Sequence, residues 1–252
     1  MRPRAWCLAV FLGVSMGAVS PVARAQFDKK GVGLAESTGM GASQIEALQV
    51  SWFYNWGPQS DIKTPAAFVP MVFSTRSLKT LVEHSPVVLG FNEPDNGKQS
   101  NLTVSDALTA WPVMARKAQR LGSPAMAGNP VDGDWLPTFM QANPKVDFVT
   151  LHWYKGVQAS KFINDVKALC KAYQKPVWVT EFAPQTVAQS KSSPDKYKPA
   201  EVVQFIRETV SWMNTEPCVE RFAWHDAKTG SSALFDEKGQ LTATGKAYAQ
   251  AR

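Results

Sequence analysis

Eight apolar runs alternating with helical patterns predict a single-domain α/β protein, a closed (β/α)8 TIM barrel. Two further observations support that expectation. Most of the runs are continuous rather than half-polar, as in strands covered on both faces of a parallel sheet. After removal of a leader, roughly 227 residues remain, enough for one large core. The rival arrangement, an open doubly wound sheet, would carry a Gly-rich phosphate loop after its first strand. "GVGLAESTG" matches no nucleotide fingerprint, so the barrel is preferred.

The chain begins "MRPRAWCLAVFLGVSMGAVSPVARAQ". Arg2 and Arg4 precede an uncharged apolar run from Trp6 to Val19, and Ala23-Arg24-Ala25 fits a small-x-small cleavage site. This layout predicts a secretory signal peptide over residues 1–25, cleaved near Ala25–Gln26, and a secreted or periplasmic domain over 26–252. The run is too short for a comfortable membrane span, and no later stretch is more apolar; an uncleaved anchor is the alternative. Loss of three Arg and no acid lowers the net charge from +6 to +3. With no basic stripe, that argues against nucleic acid as a partner. Cys170 and Cys218 remain once Cys7 leaves, as one disulfide or two buried thiols. Both fall at the bottom of a barrel, away from its strand ends.

The strand signals, in order, are "VGLAES", "LQVSWFYNWG", "AFVPMVFS", "PVVLGFNEPD", "PAMAGNP", "VDFVTLHWY", "PVWVTEFAP" and "VERFAWHDA". Helical patterns cover Val104 to Arg120, Ala159 to Tyr173, Ala200 to Met213 and Thr244 to Ala251, with shorter ones at Ser74 to Glu83 and Asp134 to Gln141. "SQIEALQ" reads as one or two turns.

Sites in such barrels form where the strands end. The fourth run ends in Asn92-Glu93-Pro94, and the seventh in Thr180-Glu181. Alternation would put Val87, Leu89, Phe91 and Glu93 on one face, and Val177, Val179 and Glu181 on one face of the seventh strand, with Trp178 turned away toward the helices. A single strand-end Glu is more often a salt-bridge or capping residue. Two of them, each ending an apolar row, suit glycoside hydrolysis, in which one carboxyl group protonates the leaving oxygen and the other attacks the anomeric carbon. A separation of about 5–5.5 Å implies retention of configuration and about 6.5–9.5 Å implies inversion.

"GFNEPD", "VTEFA" and "SWFYNWG", in these positions, resemble glycoside hydrolase family 128, of the retaining (β/α)8 clan, over about Gly31 to Ala249. The resemblance implies a β-1,3-glucanase with Glu93 as general acid/base, Glu181 as nucleophile and Asn92 bonding the sugar 2-hydroxyl. It also supports Tyr154 as a contact of the nucleophile and Trp224 as an aromatic floor. From the residues themselves, Trp56 is a candidate sugar platform and Asn55 a polar neighbour, whereas Trp52 reads as core. His152 divides evenly between site and structural roles, and Asn129 is a further candidate sugar contact.

The three His lack metal spacing, no Gly-x-Ser-x-Gly elbow occurs, and Asp132 and Asp134 read as a helix cap rather than a calcium loop. Asn101-Leu102-Thr103 is a glycosylation sequon, or simply the loop before a capped helix. The expectation is therefore a secreted, monomeric glycoside hydrolase acting on β-1,3-glucan without a metal or other cofactor. The alternatives are a same-fold hydrolase of another β-linked polysaccharide and a glucan-binding protein with little activity.

Overall fold

The computed structural model describes residues 29–184, 195–225 and 230–252. The expected leader and cleavage site, and most of the segment from Pro184 to Lys198, lie outside them. Eight parallel strands form the centre: β1 (Lys30–Gly33), β2 (Trp52–Tyr54), β3 (Ala67–Phe68), β4 (Ser85–Val88), β5 (Ala118–Leu121), β6 (Val149–Trp153), β7 (Val177–Phe182) and β8 (Val219–His225). Six pair in the order β3-β2-β1-β8-β7-β6, and β4 pairs with β5. Parallel bridges Met71↔Leu89 and Gly122↔Phe148 join the two groups and close the ring. The helices α1 (Ala42–Ala47), α2 (Val104–Lys117), α3 (Trp135–Gln141), α4 (Ala159–Tyr173), α5 (Pro199–Thr215) and α6 (Ala243–Gln250) follow strands around the barrel, with 3-10 turns at Glu36–Thr38 and Thr75–Thr80. The expected (β/α)8 barrel is the fold observed.

One boundary differs from the sequence expectation. The helical pattern to Arg120 ends at Lys117, and β5 begins at once at Ala118 rather than in "PAMAGNP". That later segment instead continues the strand direction through the bridge Asn92↔Ala125. At the other end of α2, Thr103 accepts a hydrogen bond from the Asp106 amide, so the threonine of the sequon is a helix N-cap.

The barrel interior is packed mainly with rings. Trp52, Tyr54, Phe148 and Trp178 form a buried cluster with Leu89, Met71, Val69 and Ala223. Phe148 stacks on Trp178 at 4.3 Å, and the Arg221 guanidinium lies over the Trp178 ring at 4.6 Å. β1 makes room for them: a Cβ on Gly31 would stand 2.2 Å from the Trp52 ring, and one on Gly33 3.0 Å from Tyr54. Below, Arg120 of β5 and Glu220 of β8 form a two-pronged ion pair at 2.5 and 2.7 Å. Trp52 is core, as expected. Trp178 is not between barrel and helices; it belongs to the interior.

The reason is a break in strand phase. β6 and β7 pair Leu151↔Val179 and then His152↔Glu181, so Thr180 is an extra residue, a β-bulge. Val177 and Val179 therefore pack in the outer layer, while Trp178 faces inward and Glu181 reaches the mouth. The expected row of Val177, Val179 and Glu181 does not exist. β4 breaks phase as well: Val87 and Leu89 pack on the interior cluster, but Phe91 faces outward onto Trp111 of α2. Gly90 lies between them, where a Cβ would stand 2.7 Å from the Gly122 carbonyl.

Cys170, near the end of α4, is bonded to Cys218, just before β8, with Cα atoms 6.2 Å apart. This decides between the two cysteine readings left open by the sequence. Closing a 48-residue separation restricts the unfolded chain by about 4 kcal/mol in the loop-entropy model. Paired Cys170→Ser and Cys218→Ser substitution is expected to lower unfolding free energy by about 2–4 kcal/mol in denaturant titration. An unchanged midpoint would show that the bond contributes nothing.

Candidate active site

Three buried titratable side chains meet at the C-terminal mouth of the strands. One carboxylate oxygen of Glu93, one of Glu181 and a ring nitrogen of His152 all lie within 4.8 Å of one another. His152 stands between the acids. Its Nδ1 is 2.9 Å from Glu93 Oε1, and its Nε2 is 3.4 Å from Glu181 Oε1, where it makes no hydrogen bond.

Glu93 reaches this point through a strained turn. Its φ is +42°, immediately before Pro94, a backbone state that costs a non-glycine residue about 1–3 kcal/mol. The amide of Asn96 closes the turn on the Glu93 carbonyl at 3.0 Å, and the Asn96 side chain donates to Glu93 Oε2 at 3.1 Å. Asp95 accepts from the amides of Ala127 and Gly128, tying the turn to the loop after β5. At Pro94 the chain thus turns aside and leaves the carboxylate at the rim.

Glu181 is held by donors from two other strands. The indole of Trp56 donates to Oε1 at 2.7 Å, the Tyr54 hydroxyl lies 3.1 Å from the same oxygen, and the Tyr154 hydroxyl donates to Oε2. Burial opposes ionisation of Glu181. The positive charge of His152, that of His225, and the Tyr154 and Trp56 donors outweigh it and hold the carboxyl below its ordinary range. Burial and the Glu181 charge push both tyrosines well above theirs, so they stay protonated donors. For His152, burial favours the neutral ring, but the Glu181 charge and the Glu93 hydrogen bond raise its pKa overall. His225 goes the other way: burial, the largest influence, lowers its pKa despite the Glu181 charge.

The remaining expected residues are distributed unevenly. Trp56 is in the site, with its N–H spent on Glu181 and its ring against Tyr54 and the edge of His225. Asn92 is buried beside Glu93; its amide donates to Gln99 and its Oδ1 has no partner among the described residues. Asn55 turns to Glu36 and to its own loop. Asn129 closes a turn with Val131 and Asp132. Trp224 is not a floor of the site. It is fully buried against Phe182 and Tyr248, with its N–H on the Ser232 carbonyl, because β8 turns Phe222 and Trp224 toward the helices. The residue β8 presents inward at its end is His225. Tyr54, Asn96 and His225 were missed; Tyr54 was readable from the shared face of Trp52, Tyr54 and Trp56.

Glu93, His152 and Glu181 are also close enough to share a metal ion. Their carboxylates already accept from Asn96, Trp56 and Tyr154, an arrangement suited to holding and moving protons.

A family model described as a glycosyl hydrolase catalytic core matches residues 31–248. No curated protein sequence matches. Among solved structures, the chain is similar to a family 128, subgroup I endo-β-1,3-glucanase of Amycolatopsis mediterranei, a variant in complex with laminaritriose and laminaribiose. Identity is 30%, TM-score 0.78, with 89% of this chain and all of that one covered. A subgroup II endo-β-1,3-glucanase of Sorangium cellulosum is 26% identical, TM-score 0.70, covering 89% and 98%. A subgroup VII oligosaccharide-binding protein of Trichoderma gamsii, 24% identical with TM-score 0.73 over 93% and 96%, shares the fold.

Two substitutions test the electrostatics. Trp56→Phe and Tyr154→Phe each remove a donor to the Glu181 carboxylate and keep a ring in place. Each is expected to raise the Glu181 pKa in a carboxyl-carbon NMR titration. A pKa equal to that of the wild type in both variants would mean that these donors do not stabilise the charge.

Proposed function

The chain belongs to the glycosyl hydrolase catalytic core family and, within it, to glycoside hydrolase family 128; from that premise we propose that it cleaves β-1,3-glucan with retention of configuration. The observation that carries this reading is the close approach of the two glutamates. Carboxylate oxygens within 4.8 Å of one another support the closer spacing of direct attack over the wider one of an inverting reaction.

In the first step Glu181, kept ionised by its donors, attacks the anomeric carbon. Glu93 gives its proton to the departing glycosidic oxygen, and a glycosyl ester forms on Glu181. In the second, Glu93 takes a proton from water, which attacks the same carbon and frees Glu181. His152 suits both steps. Its Nδ1 can donate to the Glu93 carboxylate or accept from the carboxylic acid, so one proton can be held on either atom of that pair. Asn92, with its unpartnered Oδ1 beside Glu93, remains the candidate acceptor for a sugar hydroxyl. The enzyme would act as an exported monomer and needs no cofactor for this chemistry. The Cys170–Cys218 bond supports export, since such bonds persist in oxidising compartments.

On laminarin-type glucan, Glu93→Gln is expected to lose about 10²–10⁴-fold in kcat, and Glu181→Gln at least as much. NMR of the first-formed product should show the β-anomer. An α-anomer, or full activity in either variant, would sink the assignment. Terminal sequencing of exported protein should begin at Gln26; a start at Met1 would count against the leader.

A further inference from the structure

The turn after Glu93 runs Pro94-Asp95-Asn96-Gly97, and no other asparagine of the chain is followed by glycine. Asn96 is half-buried and Gly97 is exposed. We propose that Asn96–Gly97 is a site of spontaneous deamidation, and that the carboxylate formed there disables Glu93. The modification stands on local chemistry alone, whereas its effect on catalysis rests on the hydrolase reading above.

Asparagine is a thermolabile residue, and it loses its amide when the main-chain nitrogen of the next residue attacks Cγ. A glycine in that next position has no Cβ to obstruct the approach. Three features of this turn favour the attack. The Gly97 N–H makes no hydrogen bond among the described residues, so no acceptor holds its nitrogen away. A Cβ on Gly97 would meet nothing within 4 Å, so the space around the bond is open to water. The Lys98 amide donates to Asn96 Oδ1 at 3.0 Å, which polarises the side-chain carbonyl and stabilises the negative charge that develops on its oxygen. In the step itself the bond from Gly97 N to Cγ forms and the Cγ–Nδ2 bond breaks. The Gly97 amide proton leaves with Nδ2 as ammonia, and water then opens the ring. Cleavage at Cγ gives aspartate in an ordinary chain. Cleavage at the Asn96 carbonyl carbon gives isoaspartate, with the main chain routed through Cγ.

Either product inverts a contact of the candidate acid. The Asn96 side chain donates to Glu93 Oε2 at 3.1 Å, and its main-chain amide closes the turn on the Glu93 carbonyl at 3.0 Å. A carboxylate has no N–H to give, and its charge would repel that of Glu93. Isoaspartate also lengthens the main chain before Gly97. That is the segment in which the Gln99 amide bonds the Asn96 carbonyl and the Ser100 amide bonds the Asn92 carbonyl. The acid thus leans on the asparagine whose own neighbour can consume it.

For the test, purified protein is held in mildly alkaline buffer and sampled over time for peptide mass and for activity on laminarin-type glucan. The peptide with Asn96 is expected to gain the mass of an amide-to-acid exchange ahead of every other asparagine, with isoaspartate-specific methyl labelling there, while activity falls in step. Gly97→Ala meets open space at an ordinary φ. It is expected to keep basal activity and to show neither change over the same interval. An amide that survives at residue 96 in the wild type, or conversion at an equal rate in Gly97→Ala, overturns the site. Asn96→Asp reproduces the aspartate product. It is expected to lower kcat about tenfold, as for loss of a hydrogen bond to a charged group, and to move the carboxyl-carbon NMR signal of Glu93. Either a wild-type kcat or an unmoved Glu93 signal in that variant overturns the effect on the acid. If the wild type cleaves no glucan, the hydrolase reading fails by itself, and peptide mass and the Glu93 signal decide the proposal by the same outcomes.

Discussion

Two carboxylates have to be held side by side, out of water, without cancelling each other. At 4.8 Å, two full negative charges repel by about 3–4 kcal/mol in a medium of effective dielectric near 20. Most of what surrounds them offsets that cost. His152 stands between the acids, hydrogen-bonded to one and facing the other. Tyr54, Trp56 and Tyr154 converge on Glu181, while Asn96 serves Glu93. The allocation is unequal, and the inequality is useful. Glu181 has the donors that favour a permanent charge. Glu93 shares its hydrogen bond with a ring that can give or take a proton.

These donors need stiff supports, and the barrel supplies them by trading side chains between strands. β1 contributes glycines at Gly31 and Gly33, so that β2 can contribute Trp52 and Tyr54 to the same space. The Tyr54 ring is thereby fixed with its hydroxyl at Glu181, and Trp56 follows two residues on, at a left-handed φ of +62°. Interior packing and active-site geometry are consecutive parts of one strand. The strained turn at Glu93 has a comparable support in Asp95, whose two backbone contacts fasten it to the next loop.

Much of this was legible from sequence because it depends on chemistry that leaves local marks. Apolar runs gave the strands, and Glu-Pro and Thr-Glu at their ends marked the carboxylates. Tyr154 and His152, both singled out from sequence, lie two residues apart and both reach the carboxylates. The misread rows on the fourth and seventh strands have one physical origin. Strict alternation was applied across Gly90 and Thr180, where the chain breaks phase to satisfy a close backbone approach and a bulge. Trp178 was put outside the barrel for that reason. Trp224 failed differently: a likeness to other proteins assigned it a role that the alternation of β8, which runs unbroken from Phe222 to His225, gives to His225. The disulfide stood level with two buried thiols, and the His152 bridge between the acids was not read, since both depend on distances between segments remote in sequence.

The grip on Glu181 has a mechanical side. Its donors come from β2 and from the end of β6, and β2 lies three places around the ring from β7, beyond β1 and β8. The Glu181 bonds from Tyr54 and Trp56 are therefore chords drawn across the mouth of the barrel, and their lengths follow the shape of the ring. Local fraying of the outer helices leaves those chords intact. Separation of strands along that arc would draw those donors away, so the setting that favours a charged Glu181 depends on the girth of the fold.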